Sequence, residues 1–467
     1  LFIFKIGVFM AISQIENQNL GKFLQIVFSD GVRNQISEEI ADWEYIAKNR
    51  QGDPNGRELR FFFQKAFGPS AIQWSGINPA GSFPSAQQVT VSEQVALYKE
   101  INATVEIEYN LWDRARMSPA KYAEPLAIEI QSKATASKRR MSIDLYGSGT
   151  GIVGTVASAA ASSGNLLLTL SSANAAEGSI GGFEFGDKVN VYANDGSTLR
   201  LAGVVSGTPA YLKVEAKNRL TGVVTLSVWS SADVQLSCNG AGTIVSTDVV
   251  YRTGQPTRVS TASAITADYN TITEVMAGLE SLAANDGRVV HGITMSGATG
   301  GTRYDCGNTA IDSSHLQRAM SLVKAIVGQG KYSWKMANMA PETLDSFIES
   351  RETDRRFMSI TDNKRGLSKF VYVHGTDNIE MNQSEFCPKK RMYILPEAKS
   401  NKDKVMELWG SDFHAVRPGG QGSEFFLKPA SGGGHDRFIR SYLAGIFTLV
   451  AKHPAAIVTL ENFLSAY

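Results

Sequence analysis

Cysteine, histidine and any surplus of charge are scarce in this 467-residue chain. Its three cysteines, Cys238, Cys306 and Cys387, stand far apart with no C-x-x-C pair. That argues against a disulfide framework or a zinc knuckle and fits a reducing compartment. The six histidines include no H-x-x-x-H pair, so no metal centre and no cofactor are expected. Lys plus Arg (46) nearly balance Asp plus Glu (45), leaving a net charge of +1. No global basic field recruits nucleic acid, and any such contact must come from a local patch. Nine mostly apolar residues precede Met10, too few for the roughly 20 that cross a bilayer. They lack the flanks of a signal peptide, so Met10 reads as the start and no membrane partner is expected. Hydrolase chemistry has no anchor either: G-x-S-x-G is absent, and His414 in "SDFHAVRPGG" has its Ser and Asp only as sequence neighbours. The chain is not expected to be an enzyme.

What is present is length enough for two or three domain-sized units, 43% apolar residues and 43 glycines. Phe23, Ile26 and Val27, then Ile36, Ile40, Trp43 and Ile46, repeat with helical spacing. "LRFFFQKAF" and "EQVALYKEINATVEIEYNLW" read as two strands of a long arm, the second alternating at Ala103, Val105, Ile107 and Tyr109. The stretch between them, 68–93, is rich in Gly, Pro, Ser and Ala and reads as a loose tip. Ser118-Pro119 marks the start of a long helix with Leu126, Ile130, Ala134, Ser137, Met141 and Leu145 on one stripe; Pro125 falls in its first two turns. Some 28 residues at 1.5 Å each make a rod of about 40 Å, with Gly147 as its stop.

Composition then shifts. From Leu145 to Phe183 the single charged residue is Glu177. Short strands follow: "NLLLTL", "DKVNVYA", "LRLAGVVS", "YLKVEA", "GVVTLSVW" and "STDVVYR", with "NDGS" as a hairpin turn. They suggest a small β-barrel or sandwich inserted as its own unit. Beyond "TGQPTRVS", "SSHLQRAMSLVKAIVGQG" reads as a helix with a Ser cap and a Gly stop, and "MAPETLDSFIESRETDRRFMSI" as a second with Pro341 in its first turn. Residues 366–430 alternate strands and turns, "HDRF" (435–438) reads as a turn, and one or two apolar strands close the chain.

"DLYGSGTGIVG" (144–154) places Gly149, Gly151 and Gly154 in the spacing of a dinucleotide-binding loop. That fingerprint needs a strand before it and a helix after it. Here a charged helix precedes it, and "TVASAAASSGNLLLTL" is a weak helix at best that turns into strands. A nucleotide-binding enzyme therefore stays as the reading from another class, and the loop reads better as a helix stop. Positive φ is expected at Gly147, Gly149 or Gly151. "SKRRMS" sets Lys138, Arg139 and Arg140 on the long helix, with Lys133 one turn earlier. Two readings stand: a solvated helix face, or a patch that meets a polyanion through its phosphates.

The order of parts resembles the tailed-bacteriophage major capsid protein, the Hong Kong 97-type fold shared with encapsulins. The resemblance runs from about Phe28 to the C-terminus. "FSDGVRNQISEE" resembles the N-terminal arm, and "FPSAQQVTVSEQVALYKEINATVEIEYNLW" the descending side of the E-loop. The long helix with its G-x-G-T-G end resembles the spine helix, and the two later helices resemble those of the axial domain. The resemblance implies an α+β fold divided into an N-terminal arm (1–58), E-loop and flanking strands (59–112), and spine helix with the start of the peripheral domain (113–161). An inserted β-unit (162–252) and the rest of the peripheral domain with the axial domain (253–467) complete it. It implies self-assembly into hexamers and pentamers that form the head around double-stranded DNA, with assembly in the host cytoplasm. Expected partners are a separate scaffolding protein, a portal, possible decoration proteins and packaged DNA held without sequence preference. Trp74, Ile77 and Phe83 are the expected inter-subunit contacts of the E-loop, and Lys133, Lys138, Arg139 and Arg140 the DNA-facing candidates. Some family members weld their shells through an E-loop lysine. None lies between Ala66 and Tyr98, so no such cross-link is expected. An encapsulin-type compartment remains the alternative within the fold.

Overall fold

The structure, a computed structural model, describes residues 46–50, 58–66, 90–108, 133, 135–171, 180–205, 207–254, 275–328, 332–350, 370–375, 377–398, 405–416, 426–429 and 435–464. Strands dominate, with helices set between them.

Two separate apolar cores organise the described chain. Around the larger one lies a mixed sheet ordered Thr302–Asp305, Val458–Glu461, Arg391–Ala398, Tyr332–Met339, Asp377–Gln383 and Phe370–His374. Helix α3 (Ser313–Val327) buries Leu316, Ala319, Met320 and Val323 in that core, at the spacings of one helical face. Its N-cap is Asp312, whose carboxylate accepts from the Ser314 and His315 amides; the expected serine cap is thus displaced by one residue. Gly328 ends it at φ +89°. Helix α4 (Pro341–Ser350) starts at Pro341, whose missing N–H costs nothing at a helix start.

A second sheet runs Ala47–Arg50, Met406–Val416, His435–Ala451 and Phe426–Pro429, and Lys99–Glu108 also pairs with His435–Ala451. Three expectations change here. Ile46 is buried and leads into a strand parallel to Glu407–Gly410, so the helical spacing does not continue through it. His435 opens a 17-residue strand, so 435–438 is no turn. The descending side of the arm is two strands, Thr90–Leu97 and Lys99–Glu108, parted at Tyr98 because each half has a different partner.

The smaller core fills a closed barrel. Its strands are all antiparallel: Val223–Trp229, Asn165–Leu170, Ile152–Ser162, Val249–Arg252, Lys188–Tyr192 and Tyr211–Asn218, which pairs back onto the first. Alternation drives it: Leu166, Leu168 and Leu170 face inward, as do Val224, Leu226 and Val228. Residues 155–162, read as a weak helix at best, belong to a full strand of this barrel, Ile152–Ser162. A Cβ on Gly154 would lie 3.0 Å from the Leu170 side chain and the Phe183 ring, so glycine lets the strand lie close over its own core. "LRLAGVVS" is not a strand. Leu199 makes one bridge to Tyr192, Gly203 turns at φ +78°, and Leu201 and Val204 drop into the barrel core.

Candidate assembly interface

The long helix, α1, is described at 133 and 135–146. Its expected start at Ser118-Pro119, with Leu126, Ile130 and Ala134, lies outside the described residues. The last part of the stripe is buried as its spacing requires: Ser137, Met141 and Leu145. The Gly147 amide donates to the Asp144 carbonyl at 3.1 Å, closing the helix where the stop was expected. Of the three glycines, Gly149 (φ +79°) and Gly151 (φ +78°) take the left-handed region and Gly147 does not.

A second short helix, α2 (Leu279–Leu282), abuts this end of α1. A Cβ on Gly278, just before it, would fall 2.5 Å from the Gly147 carbonyl oxygen, 2.6 Å from that of Leu145, and against that of Asp144. Ser281 Oγ donates to the Ser148 carbonyl. The cavity beside the loop, lined by Arg140, Asp144, Gly149, Gly151, Arg252 and Phe386 among others, holds only about 40 Å³. That accommodates water but no dinucleotide, so the loop is a joint and not a nucleotide cradle.

The cationic run on α1 is partly drawn in against the chain's own carboxylates, and so is not simply a solvated face. Lys138 is 2% exposed. Arg139 grips Glu184 through Nε and Nη2, both at 3.0 Å, pairs with Glu385 at 2.8 Å and lies over the Phe386 ring. The bond to Glu184 raises its pKa further. Arg140 pairs with Asp144 at 3.0 Å. Burial pushes the Asp144 carboxyl up, and Arg140 opposes it. Lys133 is half-buried. The spacing placed these residues on one helix, but only the fold brings carboxylates from far along the chain to meet them.

Arg139 and Arg219 seat the barrel on the rest of the chain, while Lys217 and Arg252 brace the barrel itself. Arg219, in the turn between two barrel strands, donates to Glu342 at the head of α4 (2.8 and 3.2 Å) and to the Glu385 carbonyl. Lys217 Nζ donates to the Phe183 carbonyl at 2.7 Å. Arg252 joins Asp187 at 3.0 Å and the Gly182 carbonyl at 2.8 Å. Gly181 passes so close to Glu385 that a Cβ would sit 2.5 Å from its carbonyl oxygen.

Away from the barrel, an ionic knot lies inside the larger unit. Glu280 of α2 takes Arg303 Nη2 at 2.8 Å, Arg391 Nε at 3.4 Å and the Tyr393 hydroxyl at 2.8 Å. Glu461 closes it with Arg303 (2.9 Å) and Arg391. Burial alone would raise the Glu280 carboxyl, but Arg391 and Arg303 outweigh it and hold it below the usual range. Single charges inside apolar runs, as in "GLESLAA" and "RMYILPEA", were the available signal for this knot.

The hairpin Glu58–Ala66 with Thr90–Leu97 is a two-stranded ladder that belongs to no larger sheet. One face turns inward, with Gln94 and Ala96 buried. On the other, Phe62 is 70% and Val91 55% exposed, beside Arg60 and its partners Glu58 and Glu93. Trp74, Ile77 and Phe83 lie outside the described residues. Phe62 was legible in principle, because three consecutive phenylalanines put an apolar ring on both faces of one strand. The cysteines are free and buried, and burial pushes the Cys306 thiol up to about 12. Among the described residues no group of three His, Cys, Asp or Glu could hold a metal ion.

These features define a strand-rich α+β chain with a hairpin whose Phe62 and Val91 no described residue covers. No family model matches the chain, and no curated protein matches its sequence. Solved structures that it resembles along most of its length are phage capsid chains. A chain of the cyanophage A-1(L) capsid asymmetric unit is 8% identical, with 90% of each chain covered and a TM-score of 0.43. A chain from the capsid of a native GTA particle is 9% identical, with 90% of this chain and 89% of that one covered and a TM-score of 0.39. The holo-SrpI encapsulin of Synechococcus elongatus is similar over 36% of this chain and 54% of its own, at 11% identity and a TM-score of 0.23. With TM-scores below 0.5, none of these likenesses carries an argument about function.

Proposed function

We propose that this chain is a major capsid protein of the Hong Kong 97-type fold that self-assembles into the head of a tailed phage. The observation that carries this reading is the free hairpin. A two-stranded ladder is marginal alone in water, and this one presents Phe62 and Val91 on an open face. Side chains so placed are at home under a neighbouring copy. Contacts of that kind, made by one surface on a different surface of the next copy, close into rings and shells. Hexamers and pentamers enclosing double-stranded DNA are the form that the resemblance suggests, and the encapsulin-type shell is the second reading within the fold.

In this proposal 1–58 is an arm, 59–112 the E-loop with its strands, and the barrel, whose first strand begins at Ile152 and not at the expected 162, an inserted unit seated by Arg139 and Arg219. Trp74, Ile77 and Phe83 extend the contact surface of the hairpin toward its tip. Lys133, Lys138, Arg139 and Arg140 stay the DNA-facing candidates of this proposal, Arg139 and Arg140 being shared with carboxylates of the same chain. Phe62→Asp tests the reading. It leaves the circular dichroism of the subunit unchanged and abolishes sedimenting assemblies; shells that form normally from a folded Phe62→Asp protein contradict the proposal.

A further inference from the structure

His291 occupies an unusual place for a titratable side chain. It stands with Gly292 in the two-residue turn between Val289–Val290 and Ile293–Thr294, with φ +54° and +78° respectively. Asn-Gly is the usual pair for such a turn, and the turn is usually exposed. This one is buried: His291 is 1% accessible. Its carbonyl accepts the Val95 amide at 3.1 Å, so the turn is pinned to the descending strand of the free hairpin. The ring nitrogens face the main chain of Val95 and Leu449, and neither makes a hydrogen bond of good geometry there. One charged side chain faces it among the described residues, Lys99 of the strand that follows the hairpin; from the strand His435–Ala451 it meets the main chain of Leu449. A neutral, unpaired imidazole here is costly compared with an apolar or amide side chain.

We infer that His291 is an acid-sensitive peg that holds the foot of the Glu58–Leu97 hairpin against the body and lets it go on protonation. The sign follows from the surroundings. Burial, then the Lys99 charge, push the docked imidazole down to about 4 from 6.5. A released imidazole titrates near its ordinary value and binds a proton first, so acid favours release. With those values the docking equilibrium weakens roughly 20-fold between pH 7 and pH 5. The effect belongs to the single chain and needs no assembly; that it would change the arm offered to a neighbour rests on the proposed function.

Hydrogen exchange of the full-length subunit at 90–97 tests this, corrected for intrinsic rates and referenced to the barrel strand Val223–Trp229. In the wild type, protection at Val95 falls roughly 20-fold from pH 7 to pH 5 while the barrel is unchanged. His291→Asn keeps the turn and abolishes the pH dependence. Lys99→Met lifts the docked imidazole's pKa and so moves the midpoint of release to lower pH, and serves alone if His291→Asn does not fold. A flat wild-type profile, a parallel fall in His291→Asn, or an unmoved midpoint in Lys99→Met overturns the inference. Because the readout is on unassembled protein, its failure leaves the assembly proposal standing, and a failure to assemble leaves this one standing.

Discussion

Arg219 of the barrel and Glu342 of α4 meet fork to fork, with Nε to Oε1 at 2.8 Å and Nη2 to Oε2 at 3.2 Å. Their side chains are 21% and 10% exposed, so water screens them only in part. Planar bidentate pairing gives strength and direction together. A double-mutant cycle of Arg219→Ala and Glu342→Ala, read by urea unfolding, is expected to return a coupling of about 1–2 kcal/mol. A coupling within error of zero means that the barrel is seated by its other contacts.

The end of α1 supplies a steric prediction. Gly278 has backbone oxygens where a Cβ would go, and Gly149 has φ +79° with Ala277 Cα 3.2 Å from its would-be Cβ. Gly149→Ala is expected to destabilise by about 1–2 kcal/mol from backbone conformation. Gly278→Ala costs about 3 kcal/mol or more, because three carbonyls must move. Thermal unfolding orders the two variants, and equal shifts would show that the joint between α1 and α2 yields more readily than its geometry implies.

The knot around Glu280 predicts a pH response. Its carboxyl is held below the ordinary 4.5, so its contribution is complete above that pH and is lost as pH falls toward the lowered value. Glu280→Gln leaves the Arg303 and Arg391 guanidinium groups to share Glu461 alone and should cost about 3 kcal/mol at pH 7. The variant should also show a shallower loss of stability between pH 5 and pH 3 than the wild type, measured by denaturant titration at each pH. An unchanged acid slope would place the acid sensitivity elsewhere.

Periodicity revealed what local physics controls. "NLLLTL" is the strand Asn165–Leu170, the "NDGS" turn holds with Gly196 at φ +72°, and α1 stops where Gly147 stands. Alanine and serine at 157–162 carry weak preferences of their own, so neighbouring strands decided their state. The same holds for "HDRF", drawn into a strand by its partners on both sides. Least legible were the long-range charges. Arg139 reads as a solvated cation until Glu184 and Glu385 arrive from 45 and more residues away. His291 likewise has nothing near it in sequence to announce a buried turn.

Electron microscopy of the full-length protein expressed alone and with its neighbouring virion proteins tests the central claim most directly. Round shells or hexameric rings, lost in Phe62→Asp, are the predicted result; a stable monomer at high concentration under both conditions would contradict it.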